Sequence, residues 1–372
     1  MNSSSTEASH PPRGRTASSP GVIPARGWKD ILLRVYSELF EDRLMLIAAG
    51  ITFYLLLALV PALTALVSIF SLFSDPQSLR EFTSFFNGVA PNAALDIIDE
   101  QLNRLTSHNE SALSFAFVAS VGLALWSTNS GMKALFDGVN VAYDETESRS
   151  FIKYTLTSMT FTFGLVAGLI ASIGLLGLLP LGLEYLGLQR GADLAIRIAG
   201  LLALLVLMSI SISLLYRWGP SRADAKWKWI TPGTIVSMIG ITTVSLAFSF
   251  YVANFGSYDA TYGSLGAIIG FMTWIWISTI VLLVGAELNA EVEHQTLVDS
   301  TTGAEQPMGE RGAVVADTIG VSANGTTPSH QQFEAPPAAG SRSDGSRKGL
   351  STNQLLFAYL VLGAWWLSSR KK

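Results

Sequence analysis

The sequence predicts an all-α fold: a polytopic membrane bundle of six transmembrane helices, with amphipathic helices lying in the membrane interface. Two observations carry this. Residues 263 to 286 hold no charged side chain, and then Glu287, Glu291 and Glu293 arrive together. A helix rises about 1.5 Å per residue, so about 20 apolar residues cross the roughly 30 Å hydrocarbon layer. The composition agrees, at 49% hydrophobic and 14% charged, where soluble domains carry about 25% charge.

The elements follow in chain order. Residues 1–27 are polar, Ser/Pro-rich and basic, and are expected to form a disordered cytoplasmic N-terminus. The first apolar run is too long for a signal core of about 7–15 residues, so it is expected to remain as the first span. Before it, Trp28, Ile31, Leu32, Val35 and Leu39 recur at helical spacing, with Lys29, Arg34 and Glu38 off that face.

The spans themselves lie at about 44–74, 112–130, 152–181, 193–216, 231–255 and 263–287. Backbone groups must be satisfied internally in lipid, which makes each a helix. The alternating ten-residue strands of a membrane barrel are missing from the sequence. Pro61 lacks a backbone donor and predicts a kink in the first span.

Between spans one and two, the loop 75–111 is acidic, with Asp75, Glu81, Asp96, Asp99, Glu100 and Glu110. Leu95, Ile98, Leu102 and Leu105 give it a narrow apolar stripe. This fits a short helix against the outer mouth of the bundle, or a lid or partner-docking surface. Past the second span, Met132, Leu135, Phe136, Val139 and Tyr143 form a second amphipathic stretch. Like the first, it suits a helix lying in the interface plane.

Residues 28–295 thus make the membrane domain. Residues 296–349, rich in Gly, Ser, Thr, Ala and Pro and without periodicity, are expected to be a disordered cytoplasmic linker. Residues 350–372 form a C-terminal membrane-associated helix. The uncharged stretch 350–369 reads either as a seventh span or as an interfacial anchor, since crossing would carry Arg370, Lys371 and Lys372 outside.

Basic residues set the orientation, because cytoplasmic loops carry the excess. Arg13, Arg15, Arg26, Lys29, Arg34 and Arg43 precede span one. Lys133, Arg149 and Lys153 follow span two, and Arg217, Arg222, Lys226 and Lys228 follow span four. The opposite loops hold Arg80, Arg104 and Arg190, with Arg197 just inside span four. The N-terminus is therefore expected in the cytoplasm.

Enzymes need convergent polar groups, and these are scarce. There are no cysteines, which excludes disulfides and thiolate metal sites. His10, His108, His294 and His330 are scattered, so no metal-dependent nuclease site is spelled out. No nucleophile elbow, phosphate loop, zinc-protease helix or dinucleotide fingerprint occurs. The sequence therefore assigns no catalytic, cofactor or metal residue, and no nucleic-acid partner.

Nor does a span carry an ionisable group near its middle, which disfavours a pump built on a central carboxylate. Asp193 and Arg197 enter only the start of span four. The spans do carry hydroxyl stripes: Thr64, Ser68 and Ser71 in span one, Thr155, Ser158 and Thr162 in span three, Thr242, Ser245 and Ser249 in span five. Such stripes serve close helix packing, or they line a mildly polar groove for a lipid headgroup or small solute. The pairs Gly164–Gly168 and Gly266–Gly270 read as close-packing motifs.

Three segments carry a family resemblance: "LIAAGITFYLLLALVPALTALVSIFSLF", "LWSTNSGMKALFDGVNVAYDETESRSFIK" and "YGSLGAIIGFMTWIWISTIVLLVGAELNAE". In order and spacing, about residues 28–295 resemble the YihY/virulence factor BrkB family, formerly labelled ribonuclease BN. The resemblance implies a six-span bacterial inner-membrane protein with roles in envelope integrity, serum resistance and transport, lipids included. The matching motif positions are Asn140, Tyr143, Glu147, Arg149, Tyr262, Gly263, Trp274, Gly285, Glu287 and Asn289. No catalytic assignment comes with them, and the residues give the ribonuclease label no support.

Two functions follow as expectations. The first is transport or lipid handling linked to the envelope, with membrane lipids as partners. The alternative is a non-catalytic scaffold recruiting envelope-assembly proteins. A polar groove lined by the hydroxyl stripes favours the first, and stripes packed dry against neighbouring helices favour the second. In the loop 140–151, Glu147 and Arg149 can hold the elbow to a neighbouring helix end, with Asn140 bonding backbone groups at the turn, which makes it a candidate hinge or partner contact.

Overall fold

The computed structural model describes residues 13–70, 115–185, 193–255 and 264–322. Six long helices occupy the six apolar segments. They are α2 (Leu44–Phe70), α3 (Phe115–Ala142), α4 (Phe151–Tyr185), α5 (Asp193–Trp218), α6 (Trp227–Phe255) and α7 (Ser264–His294). A shorter helix, α1 (Ala25–Glu41), precedes them, and a single turn, α8 (Val314–Asp317), follows. Four of the long helices, α4 to α7, are long and apolar enough to cross a membrane by their described residues. Counting α1 with α2 as one bent span makes five. The loop 75–111 and residues 350–369 lie outside the described residues.

The chain turns 61° between α1 and α2. Arg43 makes the turn by adopting φ 53°, the left-handed conformation that ends helices. α3 ends the same way at Asp144, φ 54°, where the N–H of Glu145 reaches back to the Asn140 carbonyl and that of Asp144 to Val141.

α7 stands at the centre, packed on α6, α2, α1 and α3. One core joins Leu44, Ile51, Phe136, Val139, Tyr143, Tyr216 and Leu283. A second joins Ile31 and Val35 of α1 to Trp229, Leu288 and Val292. The outer face of α1 stays uncovered: Leu32, Tyr36 and Phe40 are exposed. That arrangement suits a helix lying in the interface plane.

The second amphipathic stretch behaves differently. Residues 132–142 continue α3, and Phe136, Val139 and Tyr143 are fully buried in the bundle rather than laid on a membrane surface. Their apolar face finds Leu283 and Ile51 at the Gly138 crossing, which removes it from water more completely than an interface could.

The flanking segments also differ from expectation where they are described. Residues 13–24 and 296–322 are ordered against one end of the bundle. Arg13 holds Asp30 through two 2.7 Å hydrogen bonds, and the Gln295 side chain donates to the Arg13 carbonyl at 2.8 Å. The N–H of Leu297 donates to the Arg15 carbonyl, and that of Gly320 to the His294 carbonyl. These segments lack hydrophobic periodicity because side-chain-to-backbone bonds build them. Asp317 accepts from the N–H groups of Gly309, Arg311 and Gly312, and Asp299 from those of Thr301 and Gln306.

Small residues mark only some of the crossings. Among the described residues, nothing lies within 4 Å of a Cβ placed at Gly164 or Gly168, so no described helix packs closely on this pair. The close approach lies elsewhere, where Gly285 of α7 meets Gly233 of α6. A Cβ at 285 would overlap Ser237 Oγ and stand 2.6 Å from the Tyr216 hydroxyl.

A polar candidate functional site at one end of the bundle

The connections α3–α4 and α5–α6, the entry to α1 and the segment after α7 all meet at one end. The Ala223 N–H bonds the Gly312 carbonyl, the Lys226 N–H bonds Ser300, and the Val314 N–H bonds the Glu145 carboxylate. Into this polar layer run the last three turns of α7, whose side chains from Leu283 to Glu293 divide between two polar faces.

On one face, Gly285, Asn289 and Glu293 look toward α6 and the α5–α6 connection. Asn289 Oδ1 accepts the Gly233 N–H at 2.7 Å, next to Pro232, which lacks a backbone donor. Glu293 holds Arg222 through bonds of 2.6 and 3.3 Å, accepts the Ser300 hydroxyl at 2.6 Å, and the guanidinium lies 5.0 Å from the Tyr143 ring centre. Above them the Tyr216 hydroxyl donates to the Leu282 carbonyl at 2.6 Å and sits 2.6 Å from Ser237 Oγ.

On the other face, Glu287 and Glu291 look toward α1. Arg34 binds the Glu291 carboxylate through Nε, its carbonyl at 3.1 Å, Gln295 Oε1 at 3.0 Å and the Val321 carbonyl at 3.0 Å. His294 Nδ1 lies 3.4 Å from Glu291. Glu287 has no such provision. It is 3% exposed, its Oε2 lacks a hydrogen-bond partner, and its charged neighbours include Glu291, Asp42, Glu38 and Asp144. α7 runs on for two turns past Glu287, inside a polar layer built by the protein. The buried Tyr143 hydroxyl lies against the Asn289 side chain.

The elbow after α3 is a third part of the layer. Glu147 and Arg149 form a bidentate pair at 2.8 and 2.6 Å, and Arg149 also caps the end of α5 at the carbonyls of Trp218 (3.3 Å) and Gly219 (2.8 Å). Asn140 accepts the Ser221 N–H at 2.7 Å and donates to Glu147 at 3.3 Å. Burial alone would raise the Glu147 carboxyl, but the Arg149 donors hold it below the usual carboxylate range. Asp144, beside them, is pushed up by burial first, with Glu291 adding to it and His294 opposing.

Of the sequence-predicted positions, Asn140, Tyr143, Glu147, Arg149, Glu287 and Asn289 come to this one end, while Tyr262 and Gly263 lie outside the described residues. Thr155, Ser158 and Thr162 face α3: Thr162 donates to Asn129 at 3.0 Å, Lys133 donates to Thr155 at 3.0 Å, and Ser158 is fully buried. Ser245 instead accepts the Trp274 indole at 3.2 Å, and Thr242 turns back onto its own helix at Met238. The described contacts bring these two stripes to different helices, not to one groove. The side chains of Thr64, Ser68, Ser71 and Gly266 lie outside the described residues.

The sequence marks Arg34 as an orientation charge off the apolar face of α1 and Arg222 as an orientation charge, and gives no sign of their burial. Their carboxylates lie 257 and 71 residues away. Gly233 was missed too, although a glycine directly after a helical proline was the available signal. Among the described residues, no three of His, Asp and Glu stand together as a metal-ligand set.

Known proteins add the following. The family model described as virulence factor BrkB matches residues 35–309. It extends past the 28–295 boundary into the ordered segment that bears Ser300. YfkH of Bacillus subtilis (strain 168), which carries a ribonuclease-like name, is 32% identical over 253 residues, covering 65% of this chain and 88% of YfkH. The UPF0761 membrane protein NTHI0384 of Haemophilus influenzae (strain 86-028NP) is 27% identical over 272 residues, 72% of this chain and 96% of the relative. The UPF0761 membrane protein RSc1559 of Ralstonia nicotianae is 29% identical over 264 residues, 67% of this chain and 56% of the relative. No solved structure matches the chain.

Proposed function

The chain belongs to the virulence factor BrkB family, and on that footing we propose that this integral membrane protein works in transport or lipid handling that supports the cell envelope. The carrying observation is Glu287. A carboxylate buried inside a helix bundle is expensive unless paired, and ionisable groups on membrane helices mark pathways more often than structure. Here Arg34 and Arg222 each serve another glutamate of the same helix, and Glu287 is left with an unpartnered oxygen.

The bacterial inner membrane is the proposed location, with the polar end and the N-terminus in the cytoplasm. The meeting of the α1 entry, both described connections and the post-α7 segment at one end supports an even number of crossings, six. No catalytic role is assigned: the described histidine, His294, is spent beside Glu291, and a ribonuclease-like name on one relative is that relative's own.

A second reading, a non-catalytic scaffold for envelope-assembly partners, draws support from the dry packing of Ser158 and Thr162 against α3. Complementation of a deletion strain under envelope stress separates the two. Glu287→Gln is expected to abolish complementation while membrane abundance stays unchanged. Full complementation by both Glu287→Gln and Glu287→Ala rejects the transport reading and leaves the scaffold.

A further inference from the structure

Four arginines at the polar end are spent on carboxylates: Arg13 on Asp30, Arg34 on Glu291, Arg149 on Glu147 and Arg222 on Glu293. Arg217, in the last turn of α5, is not. Its Nη1 donates to the Ala225 carbonyl at 2.7 Å, and its Nε is buried without a partner. The guanidinium carbon lies 4.5 Å from the Trp227 ring centre and 5.6 Å from that of Trp218. Both tryptophans are exposed, at 49% and 41%.

The surroundings give this cation a direction. The Ser213 and Thr234 hydroxyls, 3.1 Å apart, hold α5 and α6 side by side one turn further in. On the outer surface of the two helices Ile210 and Ile235 are exposed. A half-buried, stacked guanidinium with spare donors thus sits at the polar end of a two-helix apolar face. Tryptophans of this kind settle at the headgroup level of a bilayer. A planar guanidinium on aromatic rings is the side chain best suited to grip a phosphate at an interface.

We propose that Arg217, framed by Trp218 and Trp227, is a binding site for the phosphate of an anionic phospholipid, whose acyl chains lie along Ile210 and Ile235. The site deepens the lipid-handling reading and rests on it for its purpose, though not for the binding itself. The free Nη2 and the remaining Nη1 proton supply the donors. The lipid phosphate supplies an anionic partner of the kind that Arg13, Arg34, Arg149 and Arg222 find in carboxylates.

Native mass spectrometry of the full-length protein, titrated with phosphatidylglycerol, phosphatidylcholine or inorganic phosphate, tests this directly. Wild type is expected to hold one phosphatidylglycerol in preference to phosphatidylcholine. Arg217→Gln should weaken that binding about tenfold, the loss of a charge-assisted contact. Trp227→Leu, which keeps the charge, should weaken it less. Lys153→Gln, an exposed charge at the same end, should leave it unchanged. Equal retention of phosphatidylglycerol by wild type and Arg217→Gln overturns the proposal. Displacement of the lipid by inorganic phosphate overturns it also, since the site would then be one for soluble anions. Neither result bears on the Glu287 complementation, so the two readings fail separately.

Discussion

Arg222 and Glu293 form an ion pair in which neither side chain keeps more than 1% of its surface exposed. It joins the α5–α6 connection to the end of α7, and Ser300 and the Tyr143 ring close the space around it. Removing one partner of such a pair strands a buried charge, whereas replacing both by apolar groups removes the desolvation cost together with the attraction. Arg222→Ala and Glu293→Ala should each destabilise the detergent-solubilised protein by about 3–5 kcal/mol. The double variant Arg222→Met/Glu293→Leu should cost clearly less than the sum. Additive losses in thermal unfolding would show that the two side chains do not act as a pair.

Gly285 permits the contact between α6 and α7. The backbone carbonyl of Gly233 and the Tyr216–Ser237 hydroxyl pair occupy the space a Cβ would need. Gly285→Ala should therefore cost about 1–3 kcal/mol or more, the penalty of overpacking, measured by thermal unfolding. Gly164→Ala on α4, whose added Cβ meets no atom among the described residues, should be neutral or slightly stabilising, because alanine is the better helix former.

The long apolar stretches were legible because charge is excluded from them, and α2 to α7 stand where those stretches lie. Their ends were harder to see. Met132, Phe136 and Tyr143 carry the pattern of a surface-lying helix, and nothing local says that Leu283 covers them. Glu287 marks the end of an uncharged run, but nothing local says that it is buried, or that Arg34 and Arg222 arrive from far along the chain to pair with Glu291 and Glu293. Residues 297–322 have no hydrophobic period because Asp299, Arg311 and Asp317 order them through backbone bonds, which composition cannot reveal. The elbow at Asn140, Glu147 and Arg149 was more legible, since its partners lie close in sequence and at the next helix end.

The turn between α1 and α2 should make stability depend on pH. Burial first, then Asp144 and Glu41, push the Asp42 carboxyl up from 3.8 to about 6. The folded state thus holds this proton more tightly than the unfolded chain. The stability it contributes is full below about pH 4 and is lost as pH rises through about 6. Asp42→Asn should flatten the change in unfolding temperature between pH 4 and 7 and leave the variant the more stable of the two at pH 7. A pH profile parallel to that of wild type would remove Asp42 from the account.

The absence of cysteine from the sequence allows the central claim, that Glu287 lies on a route used by solutes, to be tested at the residue itself. Single cysteines are introduced as Glu287→Cys and, as a packed control, Thr162→Cys, and inside-out membrane vesicles are treated with a small impermeant thiosulfonate. Both positions are buried in the structure, at 3% and 1% exposure. A working route must open to water, so position 287 should be modified progressively while position 162 stays protected. Equal protection of both positions over the same time course would contradict the account.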